Sequence, residues 1–94
     1  MNEINVFILA AGLGERARVH YQVPFEAVGE IHLYRGDGRH VRTLLERSHV
    51  VSGEVEWDGR SASGDLLPVG IYVLQFRLHE PHELVHLSTV VVAR

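Results

Sequence analysis

The sequence predicts an all-β protein, an antiparallel sandwich of about seven short strands. Three observations carry that prediction. Apolar residues recur at every second position in several runs, turn-forming Gly, Pro, Asp and Ser clusters fall about every ten residues, and no stretch repeats at the helical period. The chain has 94 residues, enough for one domain with a core of its own. A formal net charge of −3 argues against non-specific binding to nucleic acid phosphates. The absence of cysteine excludes disulfides, thiolate metal sites and cysteine nucleophiles.

Asn5 to Ala10 is a short apolar run, rich in β-branched and aromatic residues and followed by Gly12-Leu13-Gly14, and reads as a buried strand and a loop. Val6 to Ala11 is far too short to span a bilayer. Glu3 stands where a signal peptide would carry basic residues, so no cleavable signal is expected. In an exported protein the chain would use another route or belong to a longer one.

Val19, Tyr21 and Val23 alternate with Arg18, His20 and Gln22, as in a half-buried strand that Pro24 stops at a sheet edge. Glu26 to Gly29 then reads as a turn. Ile31 and Leu33 face inward and Glu30 and His32 outward along the next strand. Asp37-Gly38 supplies a hairpin turn, and Val41 to Leu45 returns. Arg47 to Gly53 reads as a connection, after which Val55 and Trp57 point inward and Glu54 and Glu56 outward.

Asp58 to Gly70 is a corner. Asp58-Gly59 and Ser63-Gly64-Asp65 form turns, and Pro68 keeps Leu66-Leu67 from extending as a central strand. Gly70 to His79 is the clearest strand: Tyr72, Leu74, Phe76 and Leu78 share the stronger core face, with Ile71, Val73, Gln75 and Arg77 opposite. Glu80-Pro81-His82 turns the chain. Leu84 to Ala93 is the last strand, and Val90-Val91-Val92 suggests burial on both faces. The expected core is Leu33, Val41, Trp57, Tyr72, Leu74 and Phe76, with Trp57 near its centre. The expected turn residues are Gly38, Asp58, Gly59, Gly64 and Gly70.

Two stretches resemble known families. Leu9-Ala10-Ala11-Gly12-Leu13-Gly14-Glu15-Arg16 resembles the glycine loop that opens sugar-phosphate nucleotidyltransferases, where backbone amides approach a nucleoside triphosphate. The lysine-proline segment of those enzymes does not follow it, and no alternation of strand and helix follows Arg16. The larger match begins at Leu33-Tyr34-Arg35-Gly36-Asp37-Gly38-Arg39-His40-Val41-Arg42-Thr43-Leu44. It continues through Trp57-Asp58-Gly59-Arg60, Ser63-Gly64 and Gly70-Ile71-Tyr72 to the end at Arg94. This ordered set resembles the Ig-like domain of the flagellar hook-capping protein, a module that recurs near the C-termini of bacterial secreted and surface proteins. The resemblance implies an Ig-like, fibronectin III-like sandwich over residues 17–94, preceded by an atypical strand and loop over residues 1–16. The segment Ser52 to Glu56 is shorter than the family's usual lead-in to the tryptophan.

Few residues suggest chemistry. His79, His82 and His86 cluster around the last turn, where a hairpin would set His79 across from His86, but zinc needs three or four converging ligands and solvated histidines are the expectation. Asp58 and Asp65 match no calcium-loop spacing and read as turn caps. Ser61, Ser63 and Ser88 show no spacing that suggests a triad. Arg39, Arg42 and Arg60 suggest a basic strip, but arginines that flank hairpin turns are expected to be solvated or paired with Glu54 and Glu56.

The chain therefore reads as a non-catalytic structural or interaction module without metal or cofactor. Its expected partner is a protein or its own parent chain, not nucleic acid, membrane or a small-molecule substrate, met through sheet edges or loop tips. The resemblance implies a role in flagellar hook assembly or in spacing and attaching secreted or surface proteins, and hence an extracellular or cell-surface location. A C-terminal fragment of a larger secreted enzyme and a truncated nucleotidyltransferase are the alternatives.

Overall fold

In the computed structural model, which describes residues 5–9 and 17–92, the alternating runs assemble into one antiparallel sheet of five strands. They are β1 (Asn5–Leu9), β2 (Ala17–Arg35), β3 (His40–Trp57), β4 (Gly70–Glu80) and β5 (Leu84–Val92). β3 lies along one edge of β2 from Ala17↔Trp57 to Tyr34↔His40. The other edge of β2 is shared: β1 covers Arg18–Gln22 and β4 covers Val28–Arg35. β5 pairs with β4.

The strand count differs from the expected seven because two local stop signals yield to pairing. β2 does not end at Pro24, and Glu26 to Gly29 is strand rather than turn. Pro24 lies in the irregular stretch between Gln22 and Ala27, where β2 exchanges β1 for β4 as its neighbour and its register on β3 shifts. A residue without an N–H is tolerated there because no ladder bond is required of it. Arg47 to Gly53 is likewise the middle of β3, opposite β2, and not a connection.

The same irregularity lets the sheet curl into a half-barrel. Tyr21 and Ile31 are ten positions apart, about 30 Å along an extended strand. Yet the Tyr21 ring meets the edge of Phe76, the partner of Ile31, with centroids 5.5 Å apart. β2 must fold over between them. Phe76, Ile31, Leu33, Leu74, Leu78 and Val19 are fully buried inside the curl, each side chain contributing roughly 1.5–3 kcal/mol. Val23, Ala27, Val41, Val50, Leu67, Tyr72 and Val90 complete the core with Trp57.

The β2–β3 hairpin closes through Gly36-Asp37-Gly38. Gly38 N donates to Arg35 O (2.9 Å) and Arg35 N to Arg39 O (2.8 Å), and Gly38 takes φ of 93°. This is a turn followed by a left-handed residue, a role that suits glycine because it has no Cβ to clash. The β4–β5 hairpin contains a cis Glu80–Pro81 bond and keeps an unbroken register from Gly70↔Val92 to Leu78↔Leu84. β5 is not an interior strand with two covered faces. Val90 is buried but Val91, on the opposite face, is 60% exposed, because no described element covers the outer face of β5.

Candidate interaction surface

The corner after β3 is held by a dense set of hydrogen bonds. Trp57, 4% exposed at the end of β3, donates from Nε1 to Arg60 O (3.0 Å). Arg42 Nη1, near the start of β3, donates to the same carbonyl (3.2 Å) and to Asp58 Oδ1 (2.5 Å). Asp58 Oδ1 also accepts Arg60 N (3.1 Å). Partial burial pushes the Asp58 carboxyl up, but the Arg60 amide and the Arg42 bond and charge outweigh it and hold it below its ordinary value. Arg60 Nη1 reaches Gly64 O (2.9 Å), Ser61 N donates to Asp65 O (2.8 Å), Leu67 N donates to Gly59 O (3.0 Å), and Gly59 and Gly64 take positive φ. Ala62 N donates to Val41 O (3.1 Å), which lays the corner along the start of β3.

These contacts place several sequence candidates. Asp58 pairs with Arg42, while Asp65 Oδ2 accepts Ser63 Oγ (3.0 Å), so both aspartates serve the corner. Ser61 Oγ and Ser63 Oγ lie 2.9 Å apart in the same loop, and Ser88 is far off on β5 opposite Leu74. Arg42 and Arg60 are engaged in the corner, and Arg39 is exposed in the β2–β3 turn. Glu54 faces Arg18 (3.7 Å) and His20 (3.3 Å) of β2 rather than these arginines. At the next turn, Tyr72 donates its hydroxyl to Pro68 O (2.7 Å), and Gly70 opens β4.

On the outer face of β2 stands a polar cluster that spacing alone did not reveal. Glu30 accepts from His32 Nε2 through one oxygen and from His79 Nε2, on β4, through the other. The His32 bond, then the His79 bond, hold the Glu30 carboxyl below its ordinary value against the opposing effect of burial. His32 Nδ1 lies 3.0 Å from Thr43 Oγ1 and 3.1 Å from His40 Nε2. Tyr34 packs its ring on both His32 and His40. The outward alternation of Glu30 and His32 is readable in the sequence; the arrival of His79 beside them depends on the β2–β4 register.

A hydroxyl, an imidazole and a carboxylate in a row have the makings of a proton relay. Acyl transfer also needs N–H donors aimed at an oxyanion. Here β2 lies between β3 and β4 and pairs with both, and its register on β3 shifts on either side of Ile31. His86 pairs with Phe76 on the core side of β5, whereas His79 is on the outer face of β4, so the two are not across from each other; His82 is exposed in the turn. Among the described residues, no group of three or more His, Cys, Asp or Glu is arranged to hold a metal ion.

A broad apolar exposure lies beside this cluster, on the outer face of the β4–β5 hairpin. Ile71 and Val91 are cross-strand partners, 64% and 60% exposed, and Leu87 is 60% exposed opposite Gln75. Exposed Val85 and half-buried Val73 extend the patch.

No family model matches the chain, and no curated protein matches it by sequence. Among solved structures, the chain is similar to dimeric latent PorU from Porphyromonas gingivalis, with a TM-score of 0.76 and 17% identity. The likeness covers 100% of this chain and 10% of that one. At that identity it speaks for the fold alone, an all-β antiparallel one of the kind seen here. The chain thus spans about a tenth of the protein it matches.

The nucleotidyltransferase-like stretch lies outside the described residues except for Leu9, the last residue of β1. The Gly12-Leu13-Gly14 loop and the terminal Arg94 also lie outside them.

Proposed function

We propose that this chain is a non-catalytic β module of the Ig-like, hook-capping type, which serves assembly, spacing or attachment within a longer secreted or surface protein. The observation that carries this reading is the pair of coverages: all of this chain aligns with one tenth of a much longer chain. A unit of that kind acts through its surface, and its partner is a protein or the remainder of its own chain. Two details support the Ig-like part. Tyr72, at the start of β4, returns its hydroxyl to the backbone of Pro68, the geometry of a tyrosine corner. The salt bridge from Arg42 to Asp58 also joins the two most distinctive motifs of the resemblance, Val41-Arg42-Thr43-Leu44 and Trp57-Asp58-Gly59-Arg60, into one physical unit.

The same coverages favour a second reading, a fragment of a larger secreted enzyme, and the upstream reading frame separates the two. A structural or attachment segment in frame supports the module; a catalytic domain in frame makes this chain an enzyme's tail. The non-catalytic reading is tested by calorimetric titration of the purified chain with nucleoside triphosphates and magnesium. No heat of binding is expected, and affinity in the micromolar range would overturn it.

A further inference from the structure

Sheet edges carry unpaired backbone groups, and folded proteins guard them with charge, proline, bulges or a covering loop. The free edge of β3 is guarded in this way. Its register on β2 shifts repeatedly, it carries Arg42, Glu46, Arg47, Glu54 and Glu56, and the corner places Ala62 N on Val41 O. Among the described residues, β5 has none of these devices. Its nine residues, Leu84-Val85-His86-Leu87-Ser88-Thr89-Val90-Val91-Val92, contain no proline and no Asp, Glu, Lys or Arg. Its register on β4 is unbroken over its whole length. Among the described residues no strand lies on its other side. Every second residue there presents an N–H and a C=O outward, and the occupant such an edge selects is another extended strand.

We infer that the edge of β5 is a self-association site at which a second copy of this chain adds its own β5, antiparallel, about a two-fold axis through Ser88. The choice of occupant rests on self-complementarity. Pairing β5 with itself about Ser88 sets Val85 beside Val91 and Leu87 beside Thr89 on the outer face, and Leu84 beside Val92 and His86 beside Val90 on the other. No two carboxylates or guanidinium groups meet. A two-fold axis normal to the sheet preserves the faces. Ile71 and Val91 of one copy therefore run on into Val85 of the second, and two exposed apolar patches become one continuous stripe. The arrangement is isologous and consumes the edge that makes it, so it closes at two copies. A single strand pair buries less than the roughly 800 Å² per partner of a standard interface, so the dimer forms at micromolar rather than nanomolar concentration. This site goes beyond the module reading and fails independently of it, because a spacing or attachment domain works equally well as a monomer.

Sedimentation velocity on the full 94-residue chain, from about 1 to 500 μM, tests the inference. The expected result is a reversible shift from 10.6 kDa to twice that mass. Val91→Lys, at an exposed position, should weaken the dimer at least about tenfold while leaving the circular dichroism melt in place. Val85→Glu should do the same. The double variant should recover most of the lost affinity. The Ser88-centred register sets the new carboxylate at position 85 of one copy beside the new ammonium at position 91 of the other, whereas within one chain these positions face Arg77 and Ile71. A chain that stays monomeric throughout, a dimer indifferent to Val91→Lys, a double variant without recovery, or assembly beyond two copies would each overturn it.

Discussion

Arg42 Nη1 donates to Asp58 Oδ1 at 2.5 Å, joining the start of β3 to the residue that follows its end. The two ends of one long strand meet because β3 curls with β2, and the pair closes the curl. Both side chains remain about a third exposed, so the ion pair itself contributes roughly 0.2–1 kcal/mol. Asp58 also caps Arg60 N. Asp58→Ala is therefore expected to cost more than Arg42→Ala, about 1–2 against about 1 kcal/mol. A double-mutant cycle in urea should return a positive coupling of about 0.5 kcal/mol or more. Additive losses would mean that the two residues act separately.

Acid should weaken the fold through two identified carboxylates. Glu30 and Asp58 ordinarily titrate near 4.5 and 3.8, and both are lowered in the fold. A group whose folded pKa is depressed contributes stability that is complete above its unfolded value and is lost as pH falls through the folded one. The stability difference between the parent chain and a Glu30→Gln/Asp58→Asn variant should be flat toward neutral pH and should close as pH falls below 4.5. Urea midpoints measured at intervals of pH check this. A difference that grows with acid would reverse the sign assigned to both groups.

β2 and β4 approach closely at Gly29. A Cβ there would lie 2.8 Å from Leu78 Cδ2, 3.0 Å from Arg77 O and 3.1 Å from Phe76 Cε1. Two of those atoms belong to fully buried side chains and the third is backbone, so none can retreat without moving the core. Gly29→Ala is expected to cost about 1–3 kcal/mol as an overpacked site, against a few tenths at an open glycine. Thermal melts of Gly29→Ala and Gly36→Ala give the comparison, since a Cβ at Gly36 meets only Ile71 O at 3.6 Å.

What could be read in advance was whatever depends on a strand having one wet face. The rows Tyr72, Leu74, Phe76, Leu78 and Ile31, Leu33 are buried, and period-two alternation marks such rows without knowledge of their neighbours. What could not be read depends on pairing. Pro24 signals a stop when considered alone, and only the exchange of β1 for β4 beside it explains why β2 continues. Val90-Val91-Val92 has the composition of an interior strand, and only the sheet order makes it an edge. The Glu30–His79 contact spans 49 positions, so no local spacing could announce it.

Trp57 and Tyr72 test the corner from its two ends. Trp57 is buried and holds Arg60 O, while Tyr72 is buried and holds Pro68 O. Trp57→Ala removes both volume and donor and should cost roughly 3–5 kcal/mol, enough to unfold a chain of this size. Tyr72→Phe removes only the hydroxyl and leaves behind the carbonyl of Pro68, an exposed residue, so about 1 kcal/mol is expected. Urea unfolding of both variants, followed by circular dichroism because Trp57 is the sole tryptophan, separates packing from hydrogen bonding. If Trp57→Ala lost no more than Tyr72→Phe, the tryptophan would be a lid on the corner and the cooperative core would lie wholly around Phe76.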